Sequence, residues 1–215
     1  VEPLVLKGSI EGAAAVLQTW HAGFEAGNAV ADVLFGDMNP SGKLSMSFPY
    51  SVGQIPVYYS QKRTGRPIDP NNKFSTKYLD ASNEALFPFG YGLSYTNFVY
   101  SDLYLSSKQL SKQQSIKVEV TLTNTGKFDG AEVVQLYTHD KVRSVTPPEK
   151  ELKGFQKVYL KAGESKKIIF KLSEEMLRFY NPSLQFASEP GEFTVMVGGN
   201  SKDVLSKDFD LKMGY

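Results

Sequence analysis

The chain has 215 residues, 41% hydrophobic and 22% charged, with a formal net charge of +1 and no cysteine. That balance is ordinary for a globular protein and offers no general attraction to nucleic acid or to an acidic membrane. Without cysteine there is no disulfide, thiolate nucleophile or cysteine-ligated metal, and the two histidines, His21 and His139, are too far apart in sequence to suggest zinc.

The first residues, VEPLVLKGS, form an apolar, strand-like piece. They lack the basic start and long apolar core of a signal peptide and look like a cut through a longer protein. No apolar run reaches the roughly 18 residues needed to span a bilayer. From Ala13 to Trp20 the apolar positions Ala13, Val16, Leu17 and Trp20 fall at helical spacing, which predicts a first helix. A second is predicted after Gly23, with Ala26, Ala29, Val30, Val33 and Leu34 on one stripe and Gly36 placed to stop it. Asn39-Pro40-Ser41-Gly42 is a turn, and Leu44, Met46 and Phe48 alternate with Lys43, Ser45 and Ser47 as a short strand would. Two helices and one strand are only a fragment of an α/β layer, too little to cover both faces of a parallel sheet.

Tyr58 to Asp80 is polar, proline-bearing and aperiodic. A loop longer than about 15 residues needs a reason, and joining two domains supplies one. Phe87 to Phe98, FPFGYGLSYTNF, is dense in aromatics and glycines. From Val99 the period becomes two: Ile116, Val118, Val120 and Leu122, then Val134 and Leu136, then Ile168, Phe170 and Leu172, then Phe193, Val195 and Val197. Turn signals at Asn124-Thr125-Gly126, Ala162-Gly163 and Pro190-Gly191 separate them. About seven short strands predict a mainly β protein whose β-sandwich is fibronectin-III-like (immunoglobulin-like). The C-terminal fragment of an α/β sandwich domain precedes it. The expected division is 1–57 for that fragment, 58–98 for the linker and 99–215 for the sandwich.

No catalytic constellation emerges from the residues. The neighbouring acids Glu149/Glu151, Glu174/Glu175 and Glu189/Glu192 fall in loops or at strand ends, where carboxylates are expected to be solvated. His21 and Glu25 are four apart, but Gly23 breaks the helix between them and no third ligand is evident. Ser41 lacks a nucleophile elbow, and Phe89-Gly90-Tyr91-Gly92-Leu93 lacks the lysine and the strand-to-helix context of a phosphate loop. Trp20 reads as a core residue of its helical stripe. Tyr137, Phe155, Tyr159 and Phe179 are each readable as core or as an exposed platform. No catalytic, cofactor-binding or metal-binding residue is assigned.

WHAGFEAGNAVADVLFGDMNPSGKLSMSFP, VGQIPVYYSQKRTGRP, LFPFGYGLSYTNF, VTLTNTGKFDGAEVVQLY and ELKGFQKVYLKAGES resemble, in order, the C-terminal blocks of family 3 glycoside hydrolases. One departure is Ala22-Gly23, where that family usually has Pro-Gly. The resemblance implies three parts in the intact protein: a barrel-type domain, an α/β sandwich and a fibronectin-III-like domain. It implies a retaining mechanism in which an aspartate on the first domain attacks and a glutamate on the second moves the proton, with both motifs upstream of Val1. Glu25 is then a helix-start acid. The chain would be the non-catalytic, domain-docking end of an exo-β-glycosidase, a β-glucosidase first, with β-xylosidase and arabinofuranosidase as other classes, and inactive alone. Its implied partners are a β-linked oligosaccharide and the missing catalytic domains, with no nucleic acid, membrane or cofactor, in the periplasm or secreted. Arg63, Arg66 and Tyr78 of the linker are the candidates for substrate proximity. The competing reading is a free-standing fibronectin-III-like carbohydrate-binding or adhesion module. The helices are expected to fold back on the sandwich through Phe87, Phe89, Tyr91 and Tyr95, or to pair with a second copy.

Overall fold

The computed structural model describes residues 5–69 and 71–212, so the apolar start at Val1 to Leu4 lies outside the described residues. The strands are β1 (Phe98–Leu105), β2 (Gln109–Leu110), β3 (Ser115–Asn124), β4 (Gly130–Asp140), β5 (Glu151–Leu160), β6 (Ser165–Ser173), β7 (Phe179–Tyr180), β8 (Phe186–Ala187), β9 (Gly191–Gly198) and β10 (Val204–Leu211). Period-two alternation places Ile116, Val118, Val120 and Leu122 on one face of β3, where all four are buried. Ile168 and Leu172 of neighbouring β6 extend that face, and opposite them lie Val134 and Leu136 of β4 and Phe193, Val195 and Val197 of β9, in one continuous core. One sheet runs β1-β3-β6 and the other β2-β10-β9-β4-β5; pairing is antiparallel except for β2 on β10. Two inner faces packed over alternating side chains make a fibronectin-III-like sandwich. Each fully buried Leu, Ile, Val or Phe contributes about 1.5–3 kcal/mol to it.

The N-terminal segment is built differently. Its one α-helix among the described residues, α1 (Ala26–Phe35), ends where predicted: Gly36 takes φ 86°, and its N–H bonds to the Val33 carbonyl. The helix expected over Ala13 to Trp20 does not form; the residues run as irregular chain. Eight residues are too few to nucleate a helix without a surface to pack on, and Val16 and Leu17 are exposed. Trp20 instead sits half-buried with its ring 5.8 Å from that of Phe48. The strand expected at Leu44 to Phe48 reduces to a single bridge, Phe48 to Phe87. Leu44 and Phe48 still donate their N–H groups to the Tyr91 and Phe87 carbonyls. The alternation there reflects docking against the aromatic block, since no neighbouring strand among the described residues completes a sheet. No helix among the described residues is long and apolar enough to cross a membrane.

One carboxylate departs from its expected solvated state. Glu174 is fully buried in a 3₁₀ turn, where Arg178 donates to both its oxygens (3.1 and 2.8 Å) and the Ser188 hydroxyl donates to Oε1. The Arg178 hydrogen bonds, and then Ser188, hold its carboxyl below the usual carboxylate range. The pair is close in sequence, but its burial is not legible there, because the turn also brings it against Ser188, fourteen residues on.

Candidate functional site

The chemistry of this chain concentrates where the N-terminal segment and linker meet the sandwich. The outer face of β4 shows why. A half-exposed strand would bury alternate residues, but Val134 to Asp140 is buried throughout. The inner side packs in the core, and the outer side, with Gln135, Tyr137 and His139, is covered by other chain. Polar side chains there must find partners, and they find them in the docked segment.

Gln135 donates from Nε2 to the carbonyls of Gly199 (2.6 Å) and Gly90 (3.3 Å), and its Oε1 accepts the Tyr137 hydroxyl. Gly90 is held at φ 79°, and a Cβ on it would lie 2.1 Å from Gln135 Oε1, so the aromatic–glycine block closes on this side chain as only glycine allows. Tyr137 is fully buried beneath the linker, with the Tyr59 ring edge-on at 5.7 Å and Tyr59 stacked on Phe89 at 4.4 Å. Burial, and secondarily Tyr59, pushes the Tyr137 hydroxyl well above its ordinary pKa. The third member of the row, His139, has Nδ1 3.2 Å from the Pro148 carbonyl oxygen.

A buried ion pair fastens the end of the sandwich. Lys43 Nζ is 2.9 Å from Glu132 Oε2, with side-chain exposures of only 12% and 5%, and it also donates to the Gly92 carbonyl (2.8 Å). Glu132 shares the face of Val134 and Leu136, and its Oε1 accepts the Tyr100 hydroxyl at 3.0 Å. Burial first, and then the Glu132 carboxylate, raise the Tyr100 pKa far above the tyrosine range. These three side chains border a cleft of about 300 Å³ that includes Tyr91, Gly92, Phe98 and Asn200 in its walls. Next to it, Asn39 of the Asn-Pro-Ser-Gly turn donates to the Asp129 carbonyl (2.9 Å) and accepts from the Ser94 hydroxyl and the Tyr95 N–H (2.8 and 2.9 Å). The Tyr95 hydroxyl donates to the Val33 carbonyl at the end of α1. Buried Asn124 completes the seam. Its Oδ1 accepts the Thr96 hydroxyl (2.6 Å) and the Gly126 N–H, and its Nδ2 donates to the Phe128 and Leu160 carbonyls.

The linker residues singled out from sequence each engage a different partner. Arg63 pairs through Nε with Glu149 Oε1 at 2.7 Å. Arg66 is exposed, and its carbonyl accepts the Thr76 N–H and the Thr64 hydroxyl. Tyr78, also exposed, donates its hydroxyl to the Gly53 carbonyl (3.1 Å). Glu25 stands at the N-cap of α1 and accepts from Asn28 Nδ2. Of the four ambiguous aromatics, Tyr137 and Phe179 are buried, the latter beneath the Arg143 guanidinium at 4.3 Å, whereas Phe155 and Tyr159 are exposed. Sequence reasoning missed Asn39, Lys43, Glu132, Gln135 and Asn124. The available signal was a charged and an amide residue, Glu132 and Gln135, inside the otherwise apolar first part of β4, Gly130 to Tyr137.

A fibronectin-III-like sandwich clasping an irregular, glycine- and aromatic-rich segment defines the class. The profile of the Glycosyl hydrolase family 3 C-terminal domain matches residues 1–95, and that of the Fibronectin type III-like domain matches residues 132–201. The chain is 50% identical over 211 residues to a protein of Salmonella typhimurium named Periplasmic beta-glucosidase, covering 97% of this chain and 28% of that protein. It is 44% identical to a putative beta-xylosidase of Formosa agariphila, covering 94% of this chain and 26% of that one. The crystal structure of a beta-glucosidase from Listeria innocua in complex with glucose superposes with a TM-score of 0.93 at 47% identity, covering 99% of this chain and 30% of that one. The chain belongs to glycoside hydrolase family 3, as a C-terminal part. It spans a little over a quarter of the length of these relatives.

Proposed function

We propose that the chain is the non-catalytic C-terminal portion of a retaining exo-β-glycosidase, with β-glucosidase as the activity of the intact protein. Its substrates would be the O-glycosyl bonds of β-linked oligosaccharides. One observation carries this reading: the N-terminal segment is locked to the sandwich on one side and presents unpartnered apolar side chains on the other. Phe24, Leu34 and Phe35 are exposed, while Lys43 and Asn39, a few residues on, are tied to the sandwich. A segment so divided suits a clamp that presents the end of an α/β domain to the rest of that domain. The buried carboxylates Glu132 and Glu174 are both committed to ion pairs, which leaves them poor candidates for acid–base work.

The division into 1–57, 58–98 and 99–215 is proposed with it, and limited proteolysis within 58–80 tests it. We also propose Arg63, Arg66 and Tyr78 as the residues nearest the substrate, and an exported, periplasmic or secreted setting, the latter supported by the name of the Salmonella relative. Purified chain should not hydrolyse p-nitrophenyl β-glucoside or β-xyloside. The full-length family 3 protein carrying it should hydrolyse the glucoside, and deleting residues 99–212 should abolish that activity together with the folding of the segment. Turnover by the chain alone, lost on mutating a residue within it, would overturn the reading.

A further inference from the structure

We propose that Glu149, on the loop between β4 and β5, is a positioning residue that orients Arg63 toward a sugar hydroxyl; this rests on the reading of Arg63 as substrate-proximal. Glu149 is joined to the linker twice. Its backbone N–H donates to the Gln61 carbonyl (2.8 Å), and its side chain takes Arg63 Nε at 2.7 Å. Beside those bonds, Lys62 and Pro148 form a single antiparallel bridge. The linker therefore crosses this loop in fixed register at the point where Arg63 leaves it. A guanidinium held at Nε keeps its two terminal nitrogens, four N–H groups, for an acceptor beyond the protein. Among the described residues none accepts from those terminal nitrogens, and the Arg63 side chain is half exposed.

The loop is anchored independently. Ser144 donates its N–H and hydroxyl to Glu189, and Arg143 donates to the Val145 carbonyl while its guanidinium lies over the Phe179 ring. On the linker side, Tyr59, four residues before Arg63, meets the Tyr137 ring of β4 edge-on at 5.7 Å. Both ends of the Arg63–Glu149 contact are thus seated on the sandwich, which gives the fibronectin-III-like domain a direct influence on substrate binding without touching substrate.

The test uses the full-length protein carrying this chain, with laminaribiose and p-nitrophenyl β-glucoside as probes. Glu149→Ala should raise KM for laminaribiose about three- to fivefold, the effect expected of one exposed ion pair, with kcat within about twofold. Arg63→Ala should raise it at least as much, and the double variant should be no worse than Arg63→Ala alone. Glu149→Asp should recover part of the loss. Glu189→Ala loosens the same loop while leaving the Arg63–Glu149 pair itself in place, and should raise KM by less than Glu149→Ala does. If Arg63→Ala raises KM and Glu149→Ala does not, or if Glu189→Ala raises it equally, the positioning role is wrong. If Arg63→Ala changes neither parameter, the substrate-proximal reading of Arg63 fails, and the role of Glu149 with it.

Discussion

Leu122 and Phe35 are both large apolar residues within regular secondary structure, Leu122 on the alternating stripe of β3 and Phe35 next to Leu34, the last member of the apolar stripe of α1. Leu122 is fully buried between two sheets, whereas Phe35, at the end of α1, is largely exposed. The sandwich satisfies itself: its strands pair, its inner faces meet and its core closes. The N-terminal segment is held by polar contacts along one side, at Asn39 and Lys43, with the linker's Gly90 beside them, and has little core of its own. Apolar pattern thus marks where burial is intended, and partners decide where it happens.

The sharpest way to break this comparison is to truncate both residues. Leu122→Ala should cost about 3–4 kcal/mol of unfolding free energy, because it empties a filled core position. Phe35→Ala in the same chain should change stability by less than about 0.5 kcal/mol. Urea denaturation of the two variants decides; equal losses would mean that α1 is packed as firmly as the sandwich.

Next in size is the buried ion pair. Glu132→Ala strands Lys43 and the Tyr100 hydroxyl in a low-dielectric pocket and should cost about 3 kcal/mol. Replacing both Lys43 and Glu132 with methionine should recover much of it. Because this pair ties segment to sandwich, the Glu132→Ala chain should also be cut more readily by protease within residues 5–60.

Asp140 supplies a pH-dependent comparison inside the sandwich. Its carboxylate is buried with Oδ1 unpartnered, and burial, opposed in part by the Arg143 guanidinium, pushes its pKa up to about 6. The unfolded chain loses that proton near pH 4, at an unperturbed pKa of about 3.9. Between these values the folded state binds more protons, so this group's contribution to stability is largest at the acidic end and declines as pH rises to about 6. The difference in melting temperature between wild type and Asp140→Asn should therefore vary between pH 4.5 and 7, in favour of wild type at the acidic end. Glu174 works the other way, since its lowered pKa makes its contribution fall away as pH drops below the usual carboxylate range.

The smallest perturbation is isotopic. Amides of α1 should exchange about a hundredfold faster than those in the middle of β3 and β4, since the helix can open without disturbing the core. Equal protection in a monomer would show that the segment has found a second surface on the sandwich.

The sandwich was legible because strand periodicity is local: β3 reads Ile-Lys-Val-Glu-Val-Thr-Leu, and its apolar half is the buried half. The stop of α1 at Gly36 was legible for the same reason, since a left-handed cap is a property of one residue. Ala13 to Trp20 has equally good spacing and forms no helix, because spacing proposes a face but cannot furnish the surface that face needs. The seam was the least legible part. Nothing near Lys43 in sequence indicates Glu132, nor does anything near Gly90 indicate Gln135, and each pair spans more than forty residues.

What the sequence determined by itself was therefore the local grammar: where the strands run, which faces are apolar, where glycines end elements, and which ordered motifs identify the family. Tertiary structure alone decided that β4 is buried on both faces, that Glu132 and Glu174 are structural rather than solvated, and that the linker crosses the sandwich at Glu149. The physical reason is that backbone geometry and side-chain periodicity act over a few residues. Burial, desolvation and charge pairing depend on which distant segments the fold brings together.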